Sequence, residues 1–213
     1  MKLVLPFCAM RWLACIALGA LLAEPMLSPL ERNAEASVSV PITFDLLVRA
    51  SSAVVVATAE EQHSVWEDGR IYTYSRIHVD TNVAGELAQD GEAWVKTMGG
   101  IVAKVGQVVD GEPVFIVGRP SLVFLHRKKG DVSGVFLVTA RAQGQYGIYA
   151  DEQGRLRLRR SSAVGALVSP ASPGSSGTDP NAPPLASDVI HGRVIADAAR
   201  DIATAWSRAH APP

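Results

Sequence analysis

The sequence predicts a mostly β domain, a small antiparallel barrel with a short helix before it and a helix after it. Three observations point there. Residues 71–83 alternate cleanly, with Ile71, Thr73, Ser75, Ile77, Val79, Thr81 and Val83 on one side and Tyr72, Tyr74, Arg76, His78, Asp80 and Asn82 on the other. Two continuous apolar runs, Ser121–His126 and Gly134–Ala140, have the pattern of strands buried on both faces. Asp68-Gly69 sits between two strand-like runs, and both residues tolerate the positive φ of a tight hairpin.

The elements follow in order. Thr43 is an N-cap candidate for Phe44–Arg49, where Phe44, Leu47 and Val48 share a face and Asp45 lies in the first turn. Ala53–Ala59 is β-branched and short, and it continues as a strand to Trp66. After the hairpin and the alternating strand, residues 82–91 form a loop. Glu92–Met98 is a third strand, which Gly99-Gly100 breaks. Residues 106–120 are rich in Gly and Pro and cross irregularly, anchored by Val108, Val109, Phe115 and Ile116. The two apolar runs are joined by the polar turn 127–131, and 145–150 with 155–159 form a last hairpin.

This succession, with a long crossing loop, fits an OB-like barrel. An immunoglobulin-like sandwich would call for about seven evenly spaced strands. The barrel domain spans 42–160. Residues 161–187 are a Pro/Ser/Gly-rich linker that cannot bury enough apolar surface to order itself. An amphipathic helix then runs over 188–208, capped by Asp188, with Ile190, Val194, Ala198, Ile202 and Trp206 four residues apart.

The first 23 residues read as a leader. Lys2 and Arg11 precede the uncharged run Trp12–Ala23, which has the length of a signal-peptide core and is short for a membrane span. Cleavage after Ala23 or after Ala36 is compatible with the flanking small residues. The protein is therefore expected in the periplasm or secreted, with no membrane span after cleavage. Cys8 and Cys15, its two cysteines, both lie in the leader. The mature chain would then have no disulfide, thiol nucleophile or thiolate ligand.

Among the 213 residues the formal net charge is −1, which argues against a general nucleic-acid binder because phosphate neutralisation needs a basic excess. No HExxH, Walker A, GxSxG or GxGxxG motif occurs. The five histidines are dispersed without metal-ligand spacing. Gly130-Asp131-Val132-Ser133-Gly134 echoes a serine-protease nucleophile loop only faintly, and it also reads as a hairpin turn. No catalytic residue, metal ligand or cofactor is assigned.

Several stretches resemble an uncharacterised family of exported bacterial proteins. They are Phe44 to Thr58, Trp66-Glu67-Asp68-Gly69-Arg70-Ile71, Gly99-Gly100, Gly106 to Gly118 with Pro113 and Phe115, Leu122–Leu125 and Gln143-Gly144. The layout is also similar to netrin-like, metalloprotease-inhibitor OB domains, whose N-terminal cysteine and disulfides this chain lacks. The resemblance implies export and a β-barrel scaffold, and carries no established activity.

Two surfaces are candidate binding sites. Tyr72, Tyr74, Arg76 and His78 share the polar face of their strand, and Trp94 and Lys96 lie beside them if Val95 faces inward. Stacking rings with a few cations suit sugars or an anionic polymer, while the same residues can serve as cross-strand pairs covering the sheet. Arg155, Arg157 and Arg159 share a face suited to anionic headgroups or glycans, or to protection of an edge strand. The expected function is an exported, noncatalytic interaction domain for a cell-envelope component, glycan or protein partner. The alternatives are a hydrolase with a site assembled from dispersed residues and a structural envelope protein.

Overall fold

The computed structural model describes residues 39–128, 130, 133–168 and 182–211. The expected leader with both cysteines, Asp131 and Val132 of the faint nucleophile loop, and residues 169–181 of the stretch read as a linker lie outside the described residues. Helix α1 spans Phe44–Arg49, followed by β1 (Ala53–Glu67), β2 (Arg70–Gly85) and β3 (Glu92–Met98). A small hairpin, β4 (Gly100–Val102) and β5 (Val105–Gln107), precedes β6 (Pro120–His126) and β7 (Leu137–Val138). A 3-10 turn at Arg141–Gly144 leads into β8 (Gln145–Ala150) and β9 (Leu156–Arg160), then α2 (Ala186–Ile190) and α3 (Ile195–Ala209).

The main sheet is antiparallel in the order β3-β2-β1-β6-β8-β9, with β7 also on β6. Asp68 and Gly69 take φ of 49° and 76°, as a tight hairpin between β1 and β2 requires. The edge of β6 is divided: Ser121–Val123 pair with β8, and Leu125 and His126 pair with β7. The passage from one to the other is sharp. Ala140 and Arg141 are consecutive non-glycine residues at φ of 55° and 57°, and a Cβ on Gly144 would stand 2.1 Å from the Thr139 carbonyl oxygen.

Two apolar cores lie on opposite faces of the sheet. One face packs Val54, Val56, Leu122, Phe124, Tyr146 and Leu158 under the helices, through Phe44, Leu47, Val48, Ile190, Ala198 and Ile202. The other face folds over Val55, Ala57, Ile77, Val79, Val95, Val123 and Leu125, closed by Phe115 and Phe136. The buried Gln145 stands in for a strand beside Val114, accepting its N–H at 3.1 Å and donating to its carbonyl at 2.9 Å. That bond and the one from Gln62 to the Phe115 carbonyl hold the crossing segment so that Phe115 enters the core.

The sheet is not the closed barrel expected from the strand count. The apolar run 134–140 contributes only a two-residue strand, and it touches β3 through a single parallel bridge between Val95 and Phe136. Its next residues turn to β6, so the two edges splay. Other expectations also need correction. Val108 is 93% exposed and Ile116 is exposed, so Phe115 anchors the crossing loop largely without them. The alternation of β2 holds to Val79. Register shifts that leave Asp80 and Val83 of β2 without a partner on β1 then leave Thr81 exposed and bring Val83 to the helix-side core. The helical stretch 188–208 is two helices, separated where Gly192 adopts a φ of 77° and preceded by Leu185 rather than capped by Asp188. Thr43 takes the N-cap position of α1 without a side-chain cap bond.

Candidate functional site

Where β3 and β7 diverge, a cleft of about 840 Å³ opens. Its walls include Tyr72, Tyr74 and Lys96 from the sheet, Glu112 and Pro113 from the crossing loop, and His126, Lys128, Leu137 and Arg141 from the opposite side. The sheet positions the first group by strand register: Tyr74 pairs with His63 on one side and Lys96 on the other, and Tyr72 pairs with Met98. Side chains on paired residues of adjacent strands share a face, so these groups meet.

Lys96 Nζ donates to Glu67 Oε2, and Tyr74 Oη donates to Glu67 Oε1 at 2.6 Å. The same ammonium lies 4.0 Å from the centroid of the Tyr72 ring and 5.2 Å from that of Tyr74. The bond from Lys96, then that from Tyr74, lowers the Glu67 pKa. Burial, with the Glu67 bond adding to it, raises the Tyr74 pKa. For Lys96, burial opposes the charge, but the bonds to Glu67 and Tyr74 outweigh it and its pKa is raised. The result is a fixed cation against two rings at the mouth of the cleft.

The far wall is built differently. Arg141 bonds the Glu112 carboxylate and the Asp110 carbonyl, and the second Glu112 oxygen accepts the Met98 N–H at 3.0 Å. His126 Nδ1 lies 3.3 Å from the Thr139 hydroxyl, which is 3.0 Å from that of Ser51. Burial lowers the His126 pKa, so the ring is neutral at pH 7.

The predicted face is thus divided. Tyr72, Tyr74 and Lys96 line the cleft. Arg76 instead pairs with Glu60, Glu61 and Glu92 at 2.9, 3.2 and 2.8 Å. His78 faces Asp90 at 3.9 Å, and Trp94 meets His63 edge to face, with centroids 5.2 Å apart. On the other candidate surface, Arg155 and Arg157 both pair with Asp151, whose pKa is lowered first by Arg157. Arg157 also donates to the Gly192 carbonyl, and Arg159 lies over the Tyr149 ring. Two of these three arginines are therefore engaged in holding the last hairpin.

Glu67, Glu112, His126, Lys128 and Arg141 were not singled out from the sequence. The signal at Glu67 is its place at the end of β1, directly before the Asp68-Gly69 turn. The cleft contains a histidine and a carboxylate, but His126 Nδ1 is turned to Thr139 and both Glu112 oxygens are engaged. They do not form the base–orienter pair that nucleophilic catalysis needs. Among the described residues no three His, Cys, Asp or Glu side chains gather as metal ligands would, and no helix is long and apolar enough to cross a membrane. No protein-family model, curated protein or solved structure matches the chain.

Proposed function

We propose that this protein is an exported, noncatalytic binding domain that takes its ligand in the cleft between β3 and β7. The observation that carries the reading is the convergence of Tyr72, Tyr74 and Lys96 on one wall of an 840 Å³ cleft. Pockets of this size, lined by rings with a few fixed polar groups, are the usual form of a binding site. The strand order supports an open variant of the OB-like arrangement, with a β1–β2–β3 meander, the parallel contact at Phe136 and the return through β6 to β1. In such folds the outer face of the second and third strands carries ligands. The ligand class is a cell-envelope polymer or protein, in keeping with the leader.

The test has two parts. Intact mass of the protein recovered from the periplasm or medium should show loss of the first 23 or 36 residues. Recovery of the full-length chain from the cytoplasm alone would overturn export. NMR titration with solubilised envelope glycan and envelope protein fractions should move the Tyr72, Tyr74 and Lys96 resonances. Loss of that response in the Tyr72→Ala/Tyr74→Ala variant, with folding intact, supports the site. An unchanged response places binding elsewhere.

A further inference from the structure

The unfinished seam between β3 and β7 has an observable consequence at Val138. Phe136 donates its N–H to the Trp94 carbonyl at 2.8 Å and accepts the Lys96 N–H at 2.9 Å. Those two bonds are one step of a parallel ladder. The next step would join the Val138 N–H to the Lys96 carbonyl and the Met98 N–H to the Val138 carbonyl. Neither bond is made, and the Met98 N–H goes to the Glu112 carboxylate instead.

Val138 has no alternative on its other side. The Thr139 N–H bonds the Phe124 carbonyl at 2.8 Å, and the register sets Leu125 opposite Val138. Bonded and non-bonded pairs alternate in an antiparallel ladder, so Val138 turns its N–H and C=O away from β6 and toward β3. The Val95–Phe136 bridge is isolated, so the ladder to β3 stops before Val138, although Val138 is only 5% exposed. Buried backbone groups are almost always paired. The Lys96 carbonyl faces the same seam across from it, and Lys96, Met98, Leu137 and Val138 all line the cleft.

We propose that the seam receives an extended, acidic polypeptide segment, which bonds Val138 on one side and the Lys96 carbonyl on the other. This rests on the reading of the cleft as a binding site and names its ligand class. An extended chain presents donors and acceptors at the strand repeat, which is the pattern these two edges leave open. The charge fits an acidic segment: among the described residues Lys96, Lys128 and Arg141 line the cleft beside two carboxylates, Glu67 bound to Lys96 and Glu112 bound to Arg141, which leaves the Lys128 cation in excess. Glu112 itself shows the chemistry on a small scale, a carboxylate oxygen accepting a β3 edge amide beside a guanidinium.

The test is amide hydrogen exchange on the full chain, with a library of decapeptides alternating Glu with Val, Ile, Thr or Tyr as the probe. In the free protein the Val138 amide should be less protected than that of Thr139. Adding the library should slow Val138 exchange by about tenfold or more. The same library N-methylated at alternate amides should not. Glu112→Gln, which keeps the shape of the side chain and removes the competing charge, should strengthen the response to the acidic library. Val138 already protected like Thr139 in the free protein overturns the proposal, because the seam is then closed. Movement of Tyr72 and Tyr74 with envelope glycan, but no Val138 protection by the library, also overturns it and leaves the cleft itself standing as a glycan site. Silence of Val138, Tyr72 and Tyr74 toward both the library and the glycan overturns the seam and the cleft together.

Discussion

Lys96 and Glu67 meet across the β1–β2–β3 face, with Tyr74 donating to the second Glu67 oxygen, so one carboxylate fixes both a cation and a ring of the cleft wall. The Glu67 pKa is lowered by these bonds from its ordinary 4.5. The unfolded chain therefore takes up a proton at higher pH than the folded one. The stabilisation is complete above about 4.5 and is lost as pH falls through the lower folded value. Glu67→Gln should flatten the acid limb of the melting-temperature profile and broaden the Tyr72 and Lys96 resonances. An acid limb identical to that of the parent would show that the contact is not held in solution.

His126 gives a second pH signature in a different range. Burial lowers its pKa from 6.5, so below that value the unfolded state binds a proton that the folded state refuses. Stability should fall as pH drops from about 6.5 and level off below the folded pKa. The imidazole carbon resonances should titrate late, and His126→Gln should remove this part of the pH dependence. A His126 titration centred at or above 6.5 would mean that the ring is open to solvent.

The two faces of β2 should respond differently to truncation. Ile77 is fully buried in the sheet core, and Ile77→Ala should cost about 2–5 kcal/mol in chemical denaturation. Tyr72 is half-buried at the cleft and bears on the ammonium of Lys96. Tyr72→Ala should cost less than half as much and act mainly on ligand response. Equal losses would make the tyrosine face part of the core and remove its role in binding.

Much of this arrangement was legible because it is periodic. Tyr72 and Tyr74 share a face by the two-residue repeat of a strand, and Lys96 joins them once Val95 faces inward, as it does. The far wall has no such repeat. Glu112, His126 and Arg141 come from a loop, a strand end and a left-handed turn, and only tertiary packing brings them together. The open seam was hidden for a related reason. Gly134–Ala140 has the composition of a full strand, yet Phe136 is spent on β3 and Leu137 and Thr139 on β6, so the run serves two edges and completes neither. The register shifts at Asp80 and Val83, which bring Val83 to the helices, likewise leave no mark on the alternating β2 sequence. The break between α2 and α3 did have a signal in His191-Gly192, overridden by the four-residue apolar repeat that runs through it.

The C-terminal helix provides the last prediction. Ile202 is fully buried, in the cluster that contains Val54, Phe124 and Tyr146 from the sheet. Ile202→Ala should therefore cost about 2–5 kcal/mol, through lost burial and an unfilled cavity. Arg200 lies two residues away on the exposed face, paired with Asp197. Arg200→Ala should change stability by less than about 1 kcal/mol, as expected of a surface ion pair. Urea denaturation of the full-length variants gives both values under the same conditions. The Tyr72 and Lys96 amide resonances should stay in place in Ile202→Ala, because the emptied volume lies in the helix-side core and the cleft belongs to another part of the sheet. A silent Ile202→Ala would mean that α3 is undocked in solution and that the sheet holds its fold without a helical cover. Movement of the cleft resonances in that variant would show that the two cores are coupled through β1 and β6, the strands that contribute to both.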